Sequence, residues 1–327
     1  MKERERGCGE GKRGRGGGGD DVGTQKRELP AELRGTAFRV SDALESGVAA
    51  HRLRALDLRS PHSGLRSTGE TPTDLLTRCL ELVPLLGEGR CLSHITAAQL
   101  WGLPVPLGTA LHDTNLHVTS TGPTREPRRP GITGHRSADA LVMNHLGLPI
   151  VSPLRAWGQC AETCGVDDLV IMGDALVSKW SPHRQARFRT LRQLAQLVQR
   201  WEGRRGALAL REALALVRLR SWSPKETELR LFIVRCGRLE PPELNRRMYA
   251  ADGSYLGRPD LAYRDRKIGI EYEGDYHRVS ASTFRSDIAR RERFADEGWR
   301  TLRVTGDDLA SPAELESRCR RVLPPAA

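Results

Sequence analysis

The sequence predicts an α/β protein, with a C-terminal α/β/α domain on a small mixed sheet, preceded by a winged-helix and a mostly helical region. Three observations support this fold class. Two apolar strands flank a polar break near the C-terminal end, apolar stripes at helical spacing fill residues 153–220, and a short helix, a turn and a basic helix follow residue 34.

The charge of the chain is compatible with a polyanionic partner. Its 327 residues carry a net charge of +11, with a pI near 9.7. Nucleic acid is the commonest polyanion that basic proteins bind. Lysine supplies only 6 of the 52 basic residues, and this arginine bias is also expected from GC-rich coding DNA. The charge therefore permits DNA as a partner without identifying it.

The cysteines and apolar segments indicate the setting of the chain. Seven scattered cysteines without a CxxC pair argue against a disulfide framework or a structural zinc site. The N-terminus lacks the apolar segment of a signal peptide, and no apolar run has the length of a membrane span. We therefore expect a cytoplasmic protein with reduced thiols, no membrane partner and no small-molecule cofactor. The oligomeric state stays open.

Residues 1–29 predict a disordered tail rich in glycine and arginine, because nothing in them can bury a core. An Arg/Gly tail can bind nucleic acid without sequence preference. It can equally be an extension without function, or one that does not belong to the natural protein. The sequence leaves these interpretations open.

Residues 34–67 follow the order of a winged helix-turn-helix. The pattern predicts a short helix, a turn, a basic helix over 48–57 and a tight two-stranded wing over 58–66. Arg52 and Arg54 on the second helix would then reach DNA phosphates or base edges. A small helical subdomain with solvated arginines is the alternative.

Two further regions separate this unit from the C-terminal domain. Residues 72–150 predict a second α/β, winged-helix-like region, in which Ser93 caps a helix and strands lie near Leu116 and His135. Residues 151–220 predict a helical linker region whose apolar stripes are most simply core. Its helices are expected over 153–164, 166–178, 182–202 and 206–220.

Three segments of these parts carry a family likeness: 38–40 with 43–44 and Gly47, 92–98, and 147–153. They resemble the winged-helix antitoxin of abortive-infection (AbiE-like) toxin–antitoxin systems. The resemblance covers residues 34–180. It implies DNA binding with a regulatory role and identifies no catalytic residue.

The C-terminal region, 223–323, predicts the order helix, hairpin, helix, strand, helix around a small mixed sheet. Ser223, Pro224 and Glu226 are typical of a helix start with a capping box. This assigns Glu226 a structural role. Glu228 lies off both the cap and the main apolar stripe, which makes it a candidate functional residue.

The hairpin places two acids face to face. With its turn centred on Asp265 and Arg266, Asp260 lies directly across from Glu271. Opposed residues have Cβ atoms about 5 Å apart, so two carboxylates repel unless one is protonated or a cation lies between them. A hard divalent cation, usually Mg²⁺, bound between the two carboxylates would remove this repulsion. Glu273 falls on the same face, where this register opposes it to an arginine, Arg258.

A second family likeness rests on the following residues: Glu228, Pro259-Asp260, Glu271-Tyr272-Glu273-Gly274, His277, Asp287, Arg290, Gly298-Trp299 and Arg303-Val304-Thr305. They resemble the restriction-endonuclease-like PD-(D/E)xK superfamily and, more narrowly, domains related to very-short-patch-repair (Vsr) endonucleases. The resemblance covers residues 223–309. It implies metal-dependent phosphodiester hydrolysis, with Asp260 and Glu271 as ligands of Mg²⁺ or Mn²⁺.

One departure from the superfamily concerns its usual lysine, two positions after the second acid. Glu273 stands there, and Lys267 is about 13 Å back along the strand, too far to substitute. The narrower Vsr-like group does not require the lysine. Glu273 is then a further acid ligand, and His277 an acid, a base or a phosphate contact.

The remaining candidate residues contact DNA or lie at the surface. Contacts with the phosphate backbone of DNA are expected from four arginines: Arg258, Arg278, Arg285 and Arg290. The alternatives are plain surface roles. Glu273 can pair with Arg258, Asp287 can pair with Arg290 one helical turn away, and Glu228 can simply be solvated. His277 can be a loop histidine bonded to the backbone.

Two functions therefore compete. The first is a metal-dependent DNA endonuclease guided by a winged helix, acting in defence or repair. The second is a DNA-binding regulator or antitoxin-like protein whose nuclease fold is inactive. An RNA nuclease is a third interpretation. The first is favoured because Asp260, Glu271 and Glu273 are all retained.

Overall fold

A computed structural model gives the structure of the chain. It describes residues 28–106, 108, 113–138, 141–178, 182–187, 189–237, 241–274 and 281–323, with the backbone alone at 236–237 and 281–285. The predicted tail therefore lies outside the described residues, apart from its last two positions. The described chain is a mixed α/β protein with mixed sheets, as the sequence predicts.

The first unit packs a short helix against a two-stranded sheet. Strand β1 (Ala37–Arg39) leads into helix α1 (Val40–Glu45) and pairs antiparallel with β2 (Leu65–Ser67). The predicted wing is reduced to β2 and an isolated bridge between Arg59 and Ser67. The core between these elements consists of Leu29, Phe38, Ala43, Val48, Leu53 and Leu58.

The predicted basic helix over 48–57 is wrong. The segment contains a 3-10 turn, Arg52–Arg54, between irregular turns. The core residues Val48, Leu53 and Leu58 are evenly spaced by five positions. On an α-helix, with 3.6 residues per turn, they would not share a face. An irregular path buries all three.

A five-stranded mixed sheet forms the centre of the middle region. Its strands are β3 (Arg90–Leu92), β4 (Leu116–Thr121), β5 (Ile132–Ser137), β6 (Val142–His145) and β7 (Leu148–Val151). Their order is β5-β4-β3-β7-β6, with β4–β5 and β3–β7 parallel. The sequence predicts β4 and β5. It misses the other three because each is too short to show an alternating pattern.

Helices surround this sheet. They are α2 (Leu75–Leu86), α3 (His94–Leu100), α4 (Pro153–Cys160), α5 (Val166–Val177), α6 (Leu191–Arg200) and α7 (Ala207–Leu216). Ser93 precedes α3 as predicted, although its hydroxyl makes no capping bond. In the described part of the chain, no helix combines the length and the apolar composition needed to cross a membrane.

The predicted helix over 182–202 is divided into a 3-10 turn, Arg184–Ala186, and α6. Thr190 explains the division. Its hydroxyl accepts a hydrogen bond from the Gln193 N–H at 3.1 Å, and the Gln193 side chain accepts one from the Thr190 N–H at 2.9 Å. This capping box starts a helix at that point.

Gly206 before α7 is expected to be indispensable for packing. Its φ of +80° is left-handed, and a Cβ there would lie 2.3 Å from the Ala161 carbonyl oxygen. We expect Gly206→Ala to lower the free energy of unfolding by about 1–3 kcal/mol, measured by urea denaturation. Gly203→Ala is the matched control, because Gly203 has a similar φ of +76° but nothing within 4 Å of the added Cβ. Equal losses in the two variants would exclude the packing argument.

The C-terminal region follows the predicted order, with three short strands added and the last helix divided into two. Its elements are α8 (Pro224–Gly237), β8 (Glu243–Leu244), β9 (Met248–Tyr249), β10 (Tyr255–Gly257), β11 (Leu261–Tyr263), β12 (Ile268–Glu273), α9 (Ala281–Asp296), β13 (Arg300–Thr305), α10 (Gly306–Ala310) and α11 (Pro312–Val322). The main sheet has the order β13-β12-β11-β8. Strands β12 and β13 are parallel, whereas β11 is antiparallel to both of its neighbours. The sheet is therefore mixed, as predicted.

Different helices cover the two faces of this sheet. Leu261 packs with Leu229 of α8 and Leu315 of α11 in one apolar cluster. Ala262 points to the opposite face, because successive side chains of a strand alternate, and it packs with Phe294 of α9. The sheet thus lies between α8 and α11 on one side and α9 on the other.

Helix α8 belongs to two cores. Leu231 is buried in the core of the middle region, whereas Leu229 and Ile233 are buried in the core of the C-terminal sheet. Between them, Arg230 pairs with Asp174 of α5 at 2.9 Å, and both side chains are almost fully buried. The helix therefore ties the two regions together.

Candidate functional site

The hairpin of β11 and β12 has the register that the sequence predicts. Leu261 pairs with Ile270, which places Asp260, the residue before β11, opposite Glu271. The turn between the strands is a 3-10 turn, Arg264–Arg266. The carboxylate of Asp260 accepts a hydrogen bond from the Tyr272 N–H at 2.8 Å. The backbone of the opposite strand thus fixes the Asp260 side chain.

The Asp260 carboxyl group is largely buried and has two other acids near it. Burial, together with the charges of Glu226 and Glu271, raises the pKa of its carboxyl group from 3.8 to about 7. The Tyr272 N–H and the charge of Arg290 act in the opposite direction. The raised pKa means that the ionised form of Asp260 is unfavourable here, first because the group is buried and then because two other carboxylates are near.

Glu226 is the acid that the sequence does not identify as part of this site. Its N–H donates to the Ser223 hydroxyl at 3.1 Å, so Ser223 caps α8 as predicted. The predicted capping box is shifted by one residue, because the Glu226 carboxylate accepts from the Trp222 N–H and not from the Ser223 N–H. Its carboxylate is buried and accepts hydrogen bonds from the Trp222 N–H at 2.9 Å and the Asn245 amide at 2.6 Å. Burial raises its pKa. We call Glu226, Asp260 and Glu271 the acid cluster.

Glu228 lies elsewhere. Its carboxylate pairs with Lys225 at 2.6 Å, and its side chain is 35% exposed. Its charge raises the pKa of Asp168 on α5, so it faces the middle region. Glu226 therefore replaces Glu228 as the acid that the first helix contributes, because the capping geometry turns Glu226 inward.

Arginines already engage the two acids of β12. Arg290 donates to both oxygens of Glu271, at 2.6 and 3.1 Å, and also lies 3.5 Å from Asp287. The predicted Asp287–Arg290 pair is thus present, with Glu271 as an additional partner. Glu273 pairs with Arg303 and, at 3.6 Å, with Arg291.

The predicted side-chain pairing of Glu273 with Arg258 is wrong. On the parallel strand β13, Arg303 is paired in register with Glu271, and its side chain reaches the Glu273 carboxylate two residues further along β12. Arg258 instead stacks on the ring of Trp222, with its guanidinium carbon 3.8 Å from the ring centre. Arg258 lies near Glu226, whose pKa it lowers against the effect of burial.

The arginines predicted to contact DNA have different surroundings. Arg52 is buried and donates to both oxygens of Asp57, at 3.0 and 2.8 Å. This placement corrects the prediction that Arg52 reaches a DNA groove, because the pair holds the turn that replaces the predicted helix. Arg54 is exposed.

Three other predicted site residues are not described at the level of their side chains. His277 and Arg278 lie outside the described residues. Arg285 lies in α9, of which only the backbone is described at that position. Their roles stay predictions.

The structure also brings together a second polar cluster, which the sequence does not predict: His94, His117 and His135. His117 Nδ1 lies 3.0 Å from His135 Nε2, and the His94 and His135 rings stack with centroids 3.5 Å apart. Burial lowers the pKa of His94, and burial with the two neighbouring imidazoles lowers that of His135 to about 3. No spacing signal could reveal this cluster, because each histidine lies on a different element.

The fold and these sites define a mixed α/β protein with a carboxylate cluster and a histidine cluster. The chain is similar to two proteins of Mycobacterium tuberculosis, Uncharacterized protein Rv2248 of strain H37Rv and Uncharacterized protein MT2308 of strain CDC 1551. Each is 31% identical over 252 residues, which cover 76% of this chain and 87% of the relative. The chain belongs to the same family as these mycobacterial proteins. No family model matches the chain, nor does any solved structure.

Proposed function

We propose that the protein binds DNA and that its C-terminal domain is a metal-dependent endonuclease of the restriction-endonuclease-like, Vsr-related kind. The observation that carries the proposal is the acid cluster, in which Asp260 lies opposite Glu271 with Glu226 beside it. An α/β/α arrangement around a mixed sheet surrounds the cluster. Two carboxylates placed opposite each other on one hairpin have little structural reason to be there, so the pair of Asp260 and Glu271 is the main support.

The donor set fits a hard divalent cation. It consists of carboxylate oxygens, the ligands that Mg²⁺ and Mn²⁺ prefer. Burial is the main cause of the raised pKa of Asp260, and the charges of Glu226 and Glu271 add to it; a bound cation would offset both effects. Asp260 and Glu271 would hold the ion, with Glu226 beside Asp260. When bound, the ion would polarise the scissile phosphate and lower the pKa of a coordinated water.

The residues of the chain would position the substrate and the ion. The Tyr272 N–H holds Asp260, and Arg290 holds Glu271, so both carboxylates are oriented before substrate binds. Arg290 is also available as a phosphate contact once an ion neutralises Glu271. Glu273 is held by Arg303 in the place of the usual lysine. In this proposal Glu273 positions the attacking water, and His277 supplies a proton to the leaving oxygen.

Basic surfaces in the described residues support a nucleic-acid partner. A cavity of about 710 Å³ lies beside β4 and β5, and its wall includes Arg90, Arg125, Arg128 and Arg129. A wall with four guanidinium groups favours a phosphate backbone. Arg54 and Arg258 add exposed cations in the first unit and near the acid cluster.

A plasmid-nicking assay with Mg²⁺ or Mn²⁺, with and without EDTA, tests the proposal. We expect cleavage that requires the metal. Asp260→Asn with Glu271→Gln should reduce its rate by more than about 100-fold, because several kcal/mol of metal stabilisation is lost. Glu228→Gln is the matched control and should cut like the parent protein, since Glu228 pairs with Lys225 at the surface. The assignment fails if the double variant cuts as fast as this control.

A DNA-binding regulator with an inactive nuclease fold is the second candidate. The observation that favours it is that arginines already neutralise Glu271 and Glu273. Retention of DNA in a binding assay, without metal-dependent cleavage of any DNA form, would support the regulator. Faster cleavage of RNA than of DNA would instead indicate a ribonuclease.

A further inference from the structure

The histidine cluster combines three elements of the middle region. His94 begins α3, His117 lies on β4 and His135 lies on the adjacent parallel strand β5. One ring nitrogen from each can be chosen so that all three lie within 4.8 Å of one another. His94 and His117 are buried, and His135 is partly buried. Three imidazole rings thus lie close together and largely buried, at the edge of a cavity.

The partners of His117 fix its protons. Its Nε2 lies 2.7 Å from a carboxylate oxygen of Asp113, which can only accept, so Nε2 carries the hydrogen. Nδ1 then presents a lone pair towards His135 Nε2, 3.0 Å away. A carboxylate that holds the distal nitrogen of a histidine is the usual second partner of a metal-binding imidazole.

The partners of His94 suggest the same chemistry. Its Nδ1 lies 3.0 Å from the Ser93 hydroxyl, and its Nε2 lies 3.8 Å from a carboxylate oxygen of Glu162. That second distance is too long for a hydrogen bond. Because Nδ1 can donate to the Ser93 hydroxyl, Nε2 can carry the lone pair that an ion needs, with Glu162 beside it.

The backbone of His94 is strained. Its φ of +51° is left-handed, although it is not a glycine. Such strain is unfavourable and persists only where the surroundings impose it. Here the buried Gln159 side chain accepts a hydrogen bond from the His94 N–H at 3.0 Å. The structure thus holds His94 in an unfavourable conformation that turns its ring towards His135.

We propose that His94, His117 and His135 bind one Zn²⁺ ion, with a fourth position that is open to the neighbouring cavity. Imidazole nitrogens suit zinc, whereas Mg²⁺ requires oxygen ligands. The 3.0 Å between His117 Nδ1 and His135 Nε2 is near the roughly 3.3 Å expected of two zinc ligands. The His94 ring is stacked on the His135 ring and would rotate out of the stack to direct a nitrogen at the same ion. The site is separate from the acid cluster and does not depend on the nuclease proposal.

The open position follows from the shape of the site. A cavity of about 320 Å³ is bounded by His94, His135 and Glu162, and its wall also includes Arg155 and Arg204. Three protein ligands and one exchangeable position are typical of zinc sites that bind water or substrate, whereas structural sites are closed by four. The exchangeable ligand is water held by Glu162.

Zinc titration of the full chain, after dialysis against a chelator and in competition with a coloured chelator, tests the site. We expect one Zn²⁺ per chain, undisturbed by excess Mg²⁺, and a visible tetrahedral spectrum when Co²⁺ replaces it. His117→Asn should remove this binding. His145→Asn is the matched control, because His145 is also a buried histidine stacked on an aromatic ring, Trp101, in the same region. Asp260→Asn should bind zinc like the parent.

Asp113→Asn keeps the test decisive if His117→Asn does not fold. It leaves all three ligands in place and alters only the partner of His117 Nε2. We expect its zinc affinity to fall about 10–100-fold while its circular dichroism is unchanged. The proposal is overturned if the wild-type chain binds no Zn²⁺. It is also overturned if folded His117→Asn binds as tightly as His145→Asn.

Discussion

Replacing Asp174 with alanine is expected to lower the free energy of unfolding by about 3–5 kcal/mol, because it leaves the Arg230 guanidinium buried and unpaired. Asp174 accepts hydrogen bonds from Arg230 at 2.9 Å, from the Thr227 hydroxyl at 2.8 Å and from the Arg218 N–H at 2.7 Å. All three donors lose their acceptor together. Urea denaturation followed by circular dichroism measures the loss.

A second ion pair between α5 and α8 provides a matched control. Asp167 and Arg235 also join α5 to α8, but their side chains are 44% and 50% exposed. Exposed pairs contribute about 0–1 kcal/mol, so Asp167→Ala should change stability little. Asp174→Asn combined with Arg230→Met should lose less than Arg230→Met alone, since no charge is then left unpaired. Equal losses for Asp174→Ala and Asp167→Ala would contradict the argument.

The second large effect concerns Asp260 and pH. The folded chain holds the pKa of this carboxyl group at about 7, against an ordinary value of 3.8. Between these values an unfolded chain has released a proton that the folded chain still holds, so folding becomes less favourable as the pH rises. About three pKa units correspond to roughly 4 kcal/mol, present below pH 4 and lost by about pH 8.

Asp260→Asn should therefore unfold at a higher urea concentration than the parent at pH 8 and at about the same concentration at pH 4. Asparagine retains an acceptor for the Tyr272 N–H. Unfolding curves from pH 4 to 8 test this, with the exposed Asp265→Asn as the control. A difference between parent and variant that does not change with pH would refute the assignment of the charge to Asp260.

The Asp260→Asn variant also tests whether the acid cluster binds a divalent metal ion. Mg²⁺ or Mn²⁺ at pH 8 should stabilise the parent protein, because the ion binds the folded state alone. It should have little effect on Asp260→Asn. Stability that rises equally in both proteins would mean that the ion binds elsewhere.

The acid pair shows which part of a site can be predicted from sequence. Asp260 and Glu271 belong to one hairpin, and a short turn alone fixes their register. The pairing could therefore be derived from residues close in the chain. Glu226 could not, because its capping role already explained it, and only the packing of α8 brings its carboxylate to Asp260.

The histidine cluster and the turn at Arg52 show where prediction fails. His94, His117 and His135 meet only after β4 and β5 have paired and α3 has packed beside them. Long-range packing of this kind leaves no periodic signal in the chain. At Arg52 the basic residues suggest an exposed helix, whereas burial of Leu53 and pairing with Asp57 determine the path.

The division of α8 between two cores limits how such a protein can evolve. Cutting the chain at residue 223 would move Leu231 and Arg230 away from the middle region while Asp174 stayed behind. A recombination event that exchanged the C-terminal region alone would pack Arg230 against an unrelated protein region that lacks Asp174. The middle region and the C-terminal region are therefore expected to be inherited together. Recombination between related genes should yield folded proteins only when α5 and α8 come from the same parent.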